Sequence, residues 1–344
     1  MRFPAREGRV RRPRGAAGLP DWAARGGPDC PGVQFSRAHF CSKMTAVRSA
    51  YPPLPENGVR RRFRQAEPKA QGRVIGGEPM TASVIERFRE LVVDESDPFY
   101  FDHPLDHVPG MLLFSGLLEL AARADGLRAR GRPPGRVVAG LDFTRFCELD
   151  RGTTLACRPV PGRNRAWTVA ARQAGREVCG GSIAFTDANP AAPGTGPAPA
   201  PARRADAGLV HRQRAENVLV GEPVRRGRAV VESAVLQPAG APAAPRGPVE
   251  IVEAGRQFAT MLEHEEHGRP MDATLLWVAL RADVPYRVGR DVPLVLRWLT
   301  ARPAGRRSRC AATLADAATG AVLGSLTYEA YAVDPEQYAR TRAR

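Results

Sequence analysis

Apolar and polar positions follow the same order twice along this chain. An apolar run over 109–130 and a second helical run over 249–267 are each followed by four segments in which apolar and polar residues alternate. Runs at helical spacing predict helices, and alternation with a period of two predicts strands. The predicted strands are Arg136–Phe146, Thr153–Pro161, Ala166–Ala174 and Glu177–Thr186, then Thr274–Tyr286, Pro293–Arg302, Cys310–Asp316 and Ala321–Val333.

Each repeat is therefore predicted as an α+β unit in which an antiparallel sheet wraps one long helix. The helix over 109–130 is apolar on nearly all sides, as expected where a sheet covers most of it. The second helix is predicted to expose its last turn, Glu263–His267. Thr81–Val93 is predicted as a short helix that enters the first unit.

Composition shifts set the domain limits. Residues 1–79 are rich in Arg, Pro and Gly without periodicity, so we expect a disordered extension. A unit of ordinary domain size over 80–187 precedes a Pro/Ala-rich linker over 188–206. The second unit spans 207–333, and 334–344 is a tail. An isolated unit would expose a sheet edge, so we expect the two to pack as an intramolecular pseudo-dimer.

The net charge of +15 is concentrated at the N-terminus, since residues 1–79 hold 16 Lys+Arg and 6 Asp+Glu. The remaining, nearly balanced chain does not favour a nucleic-acid partner. The six cysteines form no CxxC pair and no cluster with histidine, so no zinc site, disulfide framework or other cofactor is predicted. No apolar run is long enough for a membrane span, and we expect a cytoplasmic protein.

The densest chemistry lies in Asp102-His103-Pro104-Leu105-Asp106-His107-Val108-Pro109-Gly110-Met111. His103 and His107 are side chains that titrate near neutrality, and they lie just before a helix N-terminus whose free N–H groups can bind a carbonyl oxygen. A structural loop, in which each histidine hydrogen-bonds Asp102 or Asp106, remains an alternative.

This run resembles the DHPxDHVPGM signature of the A-factor (γ-butyrolactone) biosynthesis hotdog family. Two further elements resemble motifs of the family's other repeat. They are Val210-His211-Arg212 with the following Glu216–Val220, and the helix motif over Glu253–Gln257. The resemblance covers roughly residues 81–333 and implies a tandem hotdog fold.

Two features depart from the family pattern. The repeats stand in the opposite order, and the helix acid after the Pro-Gly pair is displaced to Glu119, with Arg123 four residues beyond it. Glu119 shares a helix face with Ser115, one turn deeper, so the acid is either displaced or lost.

The resemblance implies acyl transfer from a β-ketoacyl thioester, on an acyl-carrier protein or CoA, to dihydroxyacetone phosphate. We expect His103 or His107 to act as the base and the Gly110 end of the helix to bind the carbonyl. The other candidates are Asp102, Glu119 and Glu253 for proton transfer, and Arg212, Arg256, Gln257 and Arg123 for substrate binding. For Glu253 and Arg256, three residues apart, a plain surface ion pair is the alternative.

Two other functions fit the same residues. A hotdog thioesterase or dehydratase-like enzyme would act on the thioester with water instead of a triose phosphate. A non-catalytic module would bind an acyl group or a lactone without turnover, which the displaced Glu119 makes plausible.

Overall fold

The structure is a computed structural model, and it describes residues 86–103, 105–127, 133–188, 202–238, 244–301, 303 and 305–342. The predicted extension over 1–79 and most of the predicted linker over 188–206 lie outside these ranges. The first half contains β1 (Arg87–Glu90), α1 (Gly110–Ala124), β2 (Arg136–Phe143), β3 (Thr153–Pro159), β4 (Ala166–Gln173) and β5 (Arg176–Thr186).

The second half repeats the pattern with additions at each end. Its elements are β6 (Val224–Arg226), β7 (Val230–Val235), α2 (Pro248–Glu265), β8 (Thr274–Pro285), β9 (Leu294–Leu299), β10 (Arg307–Asp316), β11 (Val322–Val333) and α3 (Pro335–Arg342). Two short 3-10 turns, Gly208–Val210 and Ala215–Asn217, precede β6. Neither long helix of the described residues has the length and hydropathy of a membrane span.

One antiparallel sheet joins the two halves. Its strand order is β1-β3-β4-β5-β2-β8-β11-β10-β9-β7-β6, with the first half on one side and the second half on the other. The central pair is β2 with β8, in register from Arg136 opposite Pro285 to Asp142 opposite Ala279. This pairing gives each half a neighbour for a strand that would otherwise be a sheet edge.

Each long helix packs against its own part of the sheet, α1 on β3 and β4 and α2 on β8, β10 and β11. In α1 the side chains of Phe114 and Leu117 are fully buried, and each such side chain contributes roughly 2 to 3 kcal/mol to stability. In α2, Gly255 lies so close to the sheet that a Cβ there would stand 2.6 Å from the Tyr328 hydroxyl. The apolar core therefore forms around the two helices, as the apolar pattern predicts.

The end of α2 corrects the predicted exposure of Glu263–His267. Glu263 and His264 are buried, with 1% and 8% of their surface exposed. The Glu263 carboxylate lies 3.3 Å from Nδ1 of His267 and 3.4 Å from Nε of Arg269. Because a buried carboxylate needs such partners, Glu263 and His264 pack inside the protein, whereas Glu265 is exposed as predicted.

The helix predicted over Thr81–Val93 is wrong in its described part, since Arg87–Glu90 is the edge strand β1. Its residues pair with β3, from Arg87 opposite Cys157 to Glu90 opposite Thr154. Backbone hydrogen bonding to a strand about 65 residues away decides the conformation here, and a local pattern carries no signal of it.

Candidate active site

A cavity of about 1330 Å³ lies where the two halves meet, and residues from both line it. The first half contributes the loop with His103 and His107, the start of α1 and the end of β2. The second half contributes Arg212, part of α2 and the beginning of β8. The wall is partly apolar, with Val108, Met111, Leu113, Phe143, Leu275 and Leu280 among its residues.

Glu253 is the centre of a buried ion cluster on the cavity wall. Nε and Nη2 of Arg256 each donate to its carboxylate at 2.8 Å. Nη2 of Arg212 donates to the same carboxylate, and Nε2 of Gln257 does so at 2.9 Å. The surface-pair alternative is thus excluded, because Glu253 has no exposed surface.

Electrostatics keep this cluster ionised. Burial alone would raise the pKa of Glu253, but the charges and hydrogen bonds of Arg256 and Arg212 outweigh it and lower that pKa to about 2. Glu253 in turn raises the pKa of Arg256 against the effect of burial. Two guanidinium groups face one carboxylate, so these three side chains together carry one positive charge.

Gln257 holds the cluster against a nearby backbone segment of the same chain and does not face the cavity. Its Oε1 accepts a hydrogen bond of 2.6 Å from the Leu219 amide, and its Nε2 also donates to the Asn217 carbonyl at 2.9 Å. The Tyr328 hydroxyl, which lines the cavity, donates to the Val252 carbonyl at 2.5 Å. Gln257 was predicted to bind substrate, and we propose instead that it positions the cluster.

Asp102 joins the first half to the second. It is 3% exposed and accepts hydrogen bonds from the amides of Gln213 and Arg214 and from the side chain of Asn217. Asn217 also donates to the Pro98 carbonyl at 2.8 Å. The carboxylate of Asp102 thus holds the segment that carries Arg212 against the loop that carries His103.

The two histidines of the loop have different surroundings. Nδ1 of His103 is buried without a hydrogen-bond partner among the described residues. Burial lowers the pKa of His103, Asp102 opposes this, and the charges of Arg212 and Arg256 lower it further. Nδ1 of His107 lies 2.6 Å from the Asp106 carboxylate, so only His107 fits the structural-loop alternative.

Asp106 is in turn held by the C-terminal helix α3. The Tyr338 hydroxyl lies 2.7 Å from both carboxylate oxygens of Asp106, and Nε of Arg342 lies 3.3 Å from one of them. Arg342 also donates two hydrogen bonds of 2.8 Å to Glu148. The predicted tail over 334–344 is therefore, in its described part, a helix that contacts the first half near His107.

Glu119 and Arg123 lie outside the cavity. The Glu119 carboxylate is paired with Arg89 of β1 and with Arg123, each at 2.5 Å, and its side chain is 42% exposed. Burial opposes the shift, but hydrogen bonds from Arg89 and Arg123 lower the pKa of Glu119. Gly110, by contrast, lies on the cavity wall at the N-terminus of α1, as predicted.

One pair of histidines beside the cavity was not predicted from the sequence. Nε2 of His211 lies 2.9 Å from Nε2 of His264, and His211 lines the cavity. His211 stands beside Arg212 in the motif that suggested the second repeat, and that motif is the one signal in the sequence that points to it. His264 was placed on an exposed helix end, so the sequence offered no reason to pair the two.

Among the described residues no group of three or more His, Cys, Asp or Glu side chains is arranged to hold a metal ion. The arrangement combines an excess cation, a helix N-terminus and neutral imidazoles around a partly apolar cavity. Chemically, it can bind an anion, polarise a carbonyl group and accept a proton.

Comparison with known proteins relates both halves to one family. A family model described as the A-factor biosynthesis hotdog domain matches residues 86–186 and 195–334, which together are more than half of the chain. A relative from Streptomyces virginiae, named 2-oxo-3-(phosphooxy)propyl 3-oxoalkanoate synthase, is 36% identical over 106 residues. These residues are 30% of this chain and 34% of the relative, so the match spans about a third of that protein's length.

Two solved structures with a similar fold are dehydratase domains. One is the dehydratase domain from the CurJ module of curacin polyketide synthase, with a TM-score of 0.51 and 13% identity over 76% of this chain and 95% of that one. Another is that of RzxB from Pseudomonas fluorescens, with a TM-score of 0.50 and 14% identity over 71% and 93%. At these identities the likeness concerns the fold alone, and it confirms the predicted tandem hotdog of class α+β.

Proposed function

The chain belongs to the A-factor biosynthesis hotdog family, and from this we propose that it transfers a β-ketoacyl group from a thioester to the hydroxyl of dihydroxyacetone phosphate. The thioester would be carried by an acyl-carrier protein or by CoA. The name of the Streptomyces virginiae relative describes such an ester, a 3-oxoalkanoate of a phosphorylated dihydroxyacetone unit.

The observation that carries the proposal is the buried cluster of Arg212, Glu253 and Arg256. Arg256 uses Nε and Nη2 to bind Glu253, which leaves Nη1 for a ligand. Nε of Arg212 is buried without a partner among the described residues. An excess guanidinium charge in a cavity of this size favours a small substrate with a phosphate group, because charge-assisted hydrogen bonds to phosphate are strong.

The thioester fits the other features of the cavity. Gly110 and Met111 line it at the N-terminus of α1, where the first N–H groups of a helix have no partner within the helix. These groups can bind the carbonyl oxygen as it gains negative charge. The apolar side chains of α1 and β8 that face the cavity supply a surface for the acyl chain.

Proton transfer then needs a group that is unprotonated near pH 7 and lies within reach of the acceptor hydroxyl. The hydroxyl oxygen of the acceptor forms a bond to the thioester carbon while its proton passes to a cavity histidine. The carbon–sulfur bond breaks, and the departing thiolate takes up that proton. Glu253 does not fit this role because its carboxylate is engaged by Arg212, Arg256 and Gln257, whereas histidines line the cavity, among them His103, a candidate from the sequence.

In this proposal the junction between the halves is where the active site is assembled. Arg212, Glu253 and Arg256 come from the second half, and His103 and Gly110 come from the first. We therefore take the predicted pseudo-dimer to be the functional unit, because neither half carries the complete set of groups.

The full chain incubated with a β-ketoacyl thioester and dihydroxyacetone phosphate should yield the phosphorylated ester, detected by mass spectrometry, with one free thiol per ester. Glycerol in place of the triose phosphate is the matched acceptor control. Thiol release of equal rate without any acceptor would replace the proposal with a thioesterase. Tight thioester binding without thiol release would indicate a non-catalytic binding module.

A further inference from the structure

Two histidines from distant parts of the second half lie in direct contact. Nε2 of His211 is 2.9 Å from Nε2 of His264, and Nδ1 of His264 is 3.0 Å from the carbonyl oxygen of Arg269. His264 is 8% exposed, whereas His211 lines the cavity. The chain of contacts therefore runs from the Arg269 carbonyl to the wall of the candidate active site.

Hydrogen-bond chemistry decides which ring atoms of a neutral pair carry protons. A carbonyl oxygen only accepts, so Nδ1 of His264 must be the protonated atom of that ring. Nε2 of His264 is then an acceptor, and Nε2 of His211 must donate to it. The remaining ring nitrogen of His211, Nδ1, then carries no proton and has an available lone pair. No hydrogen bond from a described residue reaches it.

The groups around His211 keep it neutral. Burial lowers its pKa to about 4, and the nearby rings of His264 and His103 and the Arg256 guanidinium act in the same direction. These groups face it from α2 and from the loop of the first half. An uncharged imidazole is the form that accepts a proton.

The backbone at His211 is also unusual. Its φ and ψ are 52° and 52°, in the left-handed region, at the end of the turn Gly208–Val210. A non-glycine residue in this region is strained and persists where surrounding contacts hold it. This turn brings His211 against His264 while the next residue, Arg212, reaches Glu253.

We infer that His211 is the group that takes the proton from the acceptor hydroxyl, and that His264 is the positioning residue that fixes its ring. This inference rests on the proposed function and goes further by choosing among the cavity histidines. His103 lacks the orienting partner that a general base usually has, since its Nδ1 is unpartnered. His107 is held by Asp106.

The step balances without any further reactant. As the hydroxyl oxygen bonds to the thioester carbon, its proton passes to Nδ1 of His211, and the Nε2 proton of His211 passes to His264. The positive charge then lies on His264, whose Nδ1–H still donates to the Arg269 carbonyl. When the carbon–sulfur bond breaks, the proton on His264 returns to Nε2 of His211. The thiolate takes the proton from Nδ1 of His211.

Steady-state kinetics of the full chain test the roles of the two residues. His211→Gln should lower kcat at least a hundredfold and leave both KM values within about threefold, since general-base catalysis contributes 10²- to 10⁴-fold. His264→Phe removes the acceptor and should lower kcat at least tenfold. His264→Gln keeps an acceptor and a donor and should restore part of that loss.

His267→Gln is the matched control, because His267 lies three residues along the chain from His264 and contacts Glu263 and Trp298 outside the cavity wall. Its kcat should stay within twofold of the unsubstituted protein. A hundredfold loss in His103→Gln together with a change below threefold in His211→Gln would overturn the inference in favour of His103.

Nitrogen NMR of the 15N-histidine-labelled full chain tests the ring assignment without any substrate. At pH 7.5 His211 should carry its proton on Nε2 and His264 on Nδ1, and His264→Phe should remove this preference at His211. The two rings are identified by the loss of the His264 signals in that variant and by contacts between their ring protons. The opposite ring forms, or a charged pair, would contradict the inference. Failure of the proposed function looks different, because the unsubstituted protein would then form no ester while the ring assignment stands.

Discussion

Asp102 of the first half accepts a hydrogen bond from the side chain of Asn217 in the second half. The same carboxylate accepts hydrogen bonds from the backbone amides of Gln213 and Arg214, which directly follow the cavity residue Arg212. This carboxylate, a sequence candidate for proton transfer, is thus engaged with three donors across the junction. We expect it to act by holding the two parts of the site together.

Asp102→Ala should therefore reduce stability and activity together. Loss of the carboxylate leaves buried donors unsatisfied, and we expect the free energy of unfolding to fall by about 2 to 4 kcal/mol. Asp102→Asn keeps one acceptor oxygen and should lose less. The measurement is urea denaturation, with Asp94→Ala as the control, since among the described residues the exposed Asp94 carboxylate bonds only to Ser96. Equal stability of the Asp102 and Asp94 variants would contradict this role.

Glu119→Gln should leave turnover within twofold of the unsubstituted protein. Glu119 is bound to Arg89 and Arg123 outside the cavity, and exposed ion pairs contribute at most about 1 kcal/mol. Thiol-release kinetics and thermal unfolding measure both effects. Glu253→Gln is the contrasting variant, because it leaves the buried Arg212 and Arg256 without their carboxylate. A tenfold loss of kcat in Glu119→Gln would contradict this prediction and indicate that Glu119 takes part in the reaction.

Gly255→Ala should destabilise the second half. A Cβ at this position would lie 2.5 Å from Cδ1 of Leu326 and 2.6 Å from the Tyr328 hydroxyl, and overpacking of this kind costs about 1 to 3 kcal/mol. Gly247→Ala, at the start of the same helix, is the matched control because its Cβ would meet no heavy atom within 4 Å. Denaturation midpoints that shift equally in the two variants would refute the close approach.

Stability should fall as the pH drops from about 6.5 towards 4. The pKa of His211 is lowered to about 4 in the folded protein, whereas an exposed histidine titrates near 6.5. The unfolded chain therefore binds a proton in this window before the folded one does, and the stability present above pH 6.5 is lost as the pH falls. The loss amounts to at most about 3 kcal/mol.

The test is the free energy of unfolding measured between pH 4 and 7.5. His211→Gln removes the titrating ring, so its curve should be flatter in this window than that of the unsubstituted protein. Identical slopes would show that His211 titrates normally in the folded state.

The sequence predicted the repeated helix and meander well because alternation and apolar runs are local. The ends of β2–β5 and β8–β11 fall within three residues of the predictions. The short strands β6 and β7 escaped because strands of three to six residues carry little pattern. The position of Glu119 also escaped, because its partner Arg89 lies on β1, which local periodicity assigned to a helix.

The candidate site was predicted in its parts but not in its connections. His103, Arg212, Glu253 and Arg256 do line one cavity. The pairing of His211 with His264 joins residues 53 positions apart, and the burial of His264 depends on packing in three dimensions. Neither follows from charge or spacing along the chain.

The central claim is that Arg256, in excess over the Glu253 charge, recognises the phosphate of the acceptor. The most direct measurement is kcat/KM for dihydroxyacetone phosphate relative to dihydroxyacetone, in the unsubstituted protein and in Arg256→Ala. A charge-assisted contact contributes about 1.5 to 3 kcal/mol, so this ratio should fall about tenfold or more in Arg256→Ala while thioester binding is unchanged. An unchanged ratio in a folded Arg256→Ala variant would contradict the account.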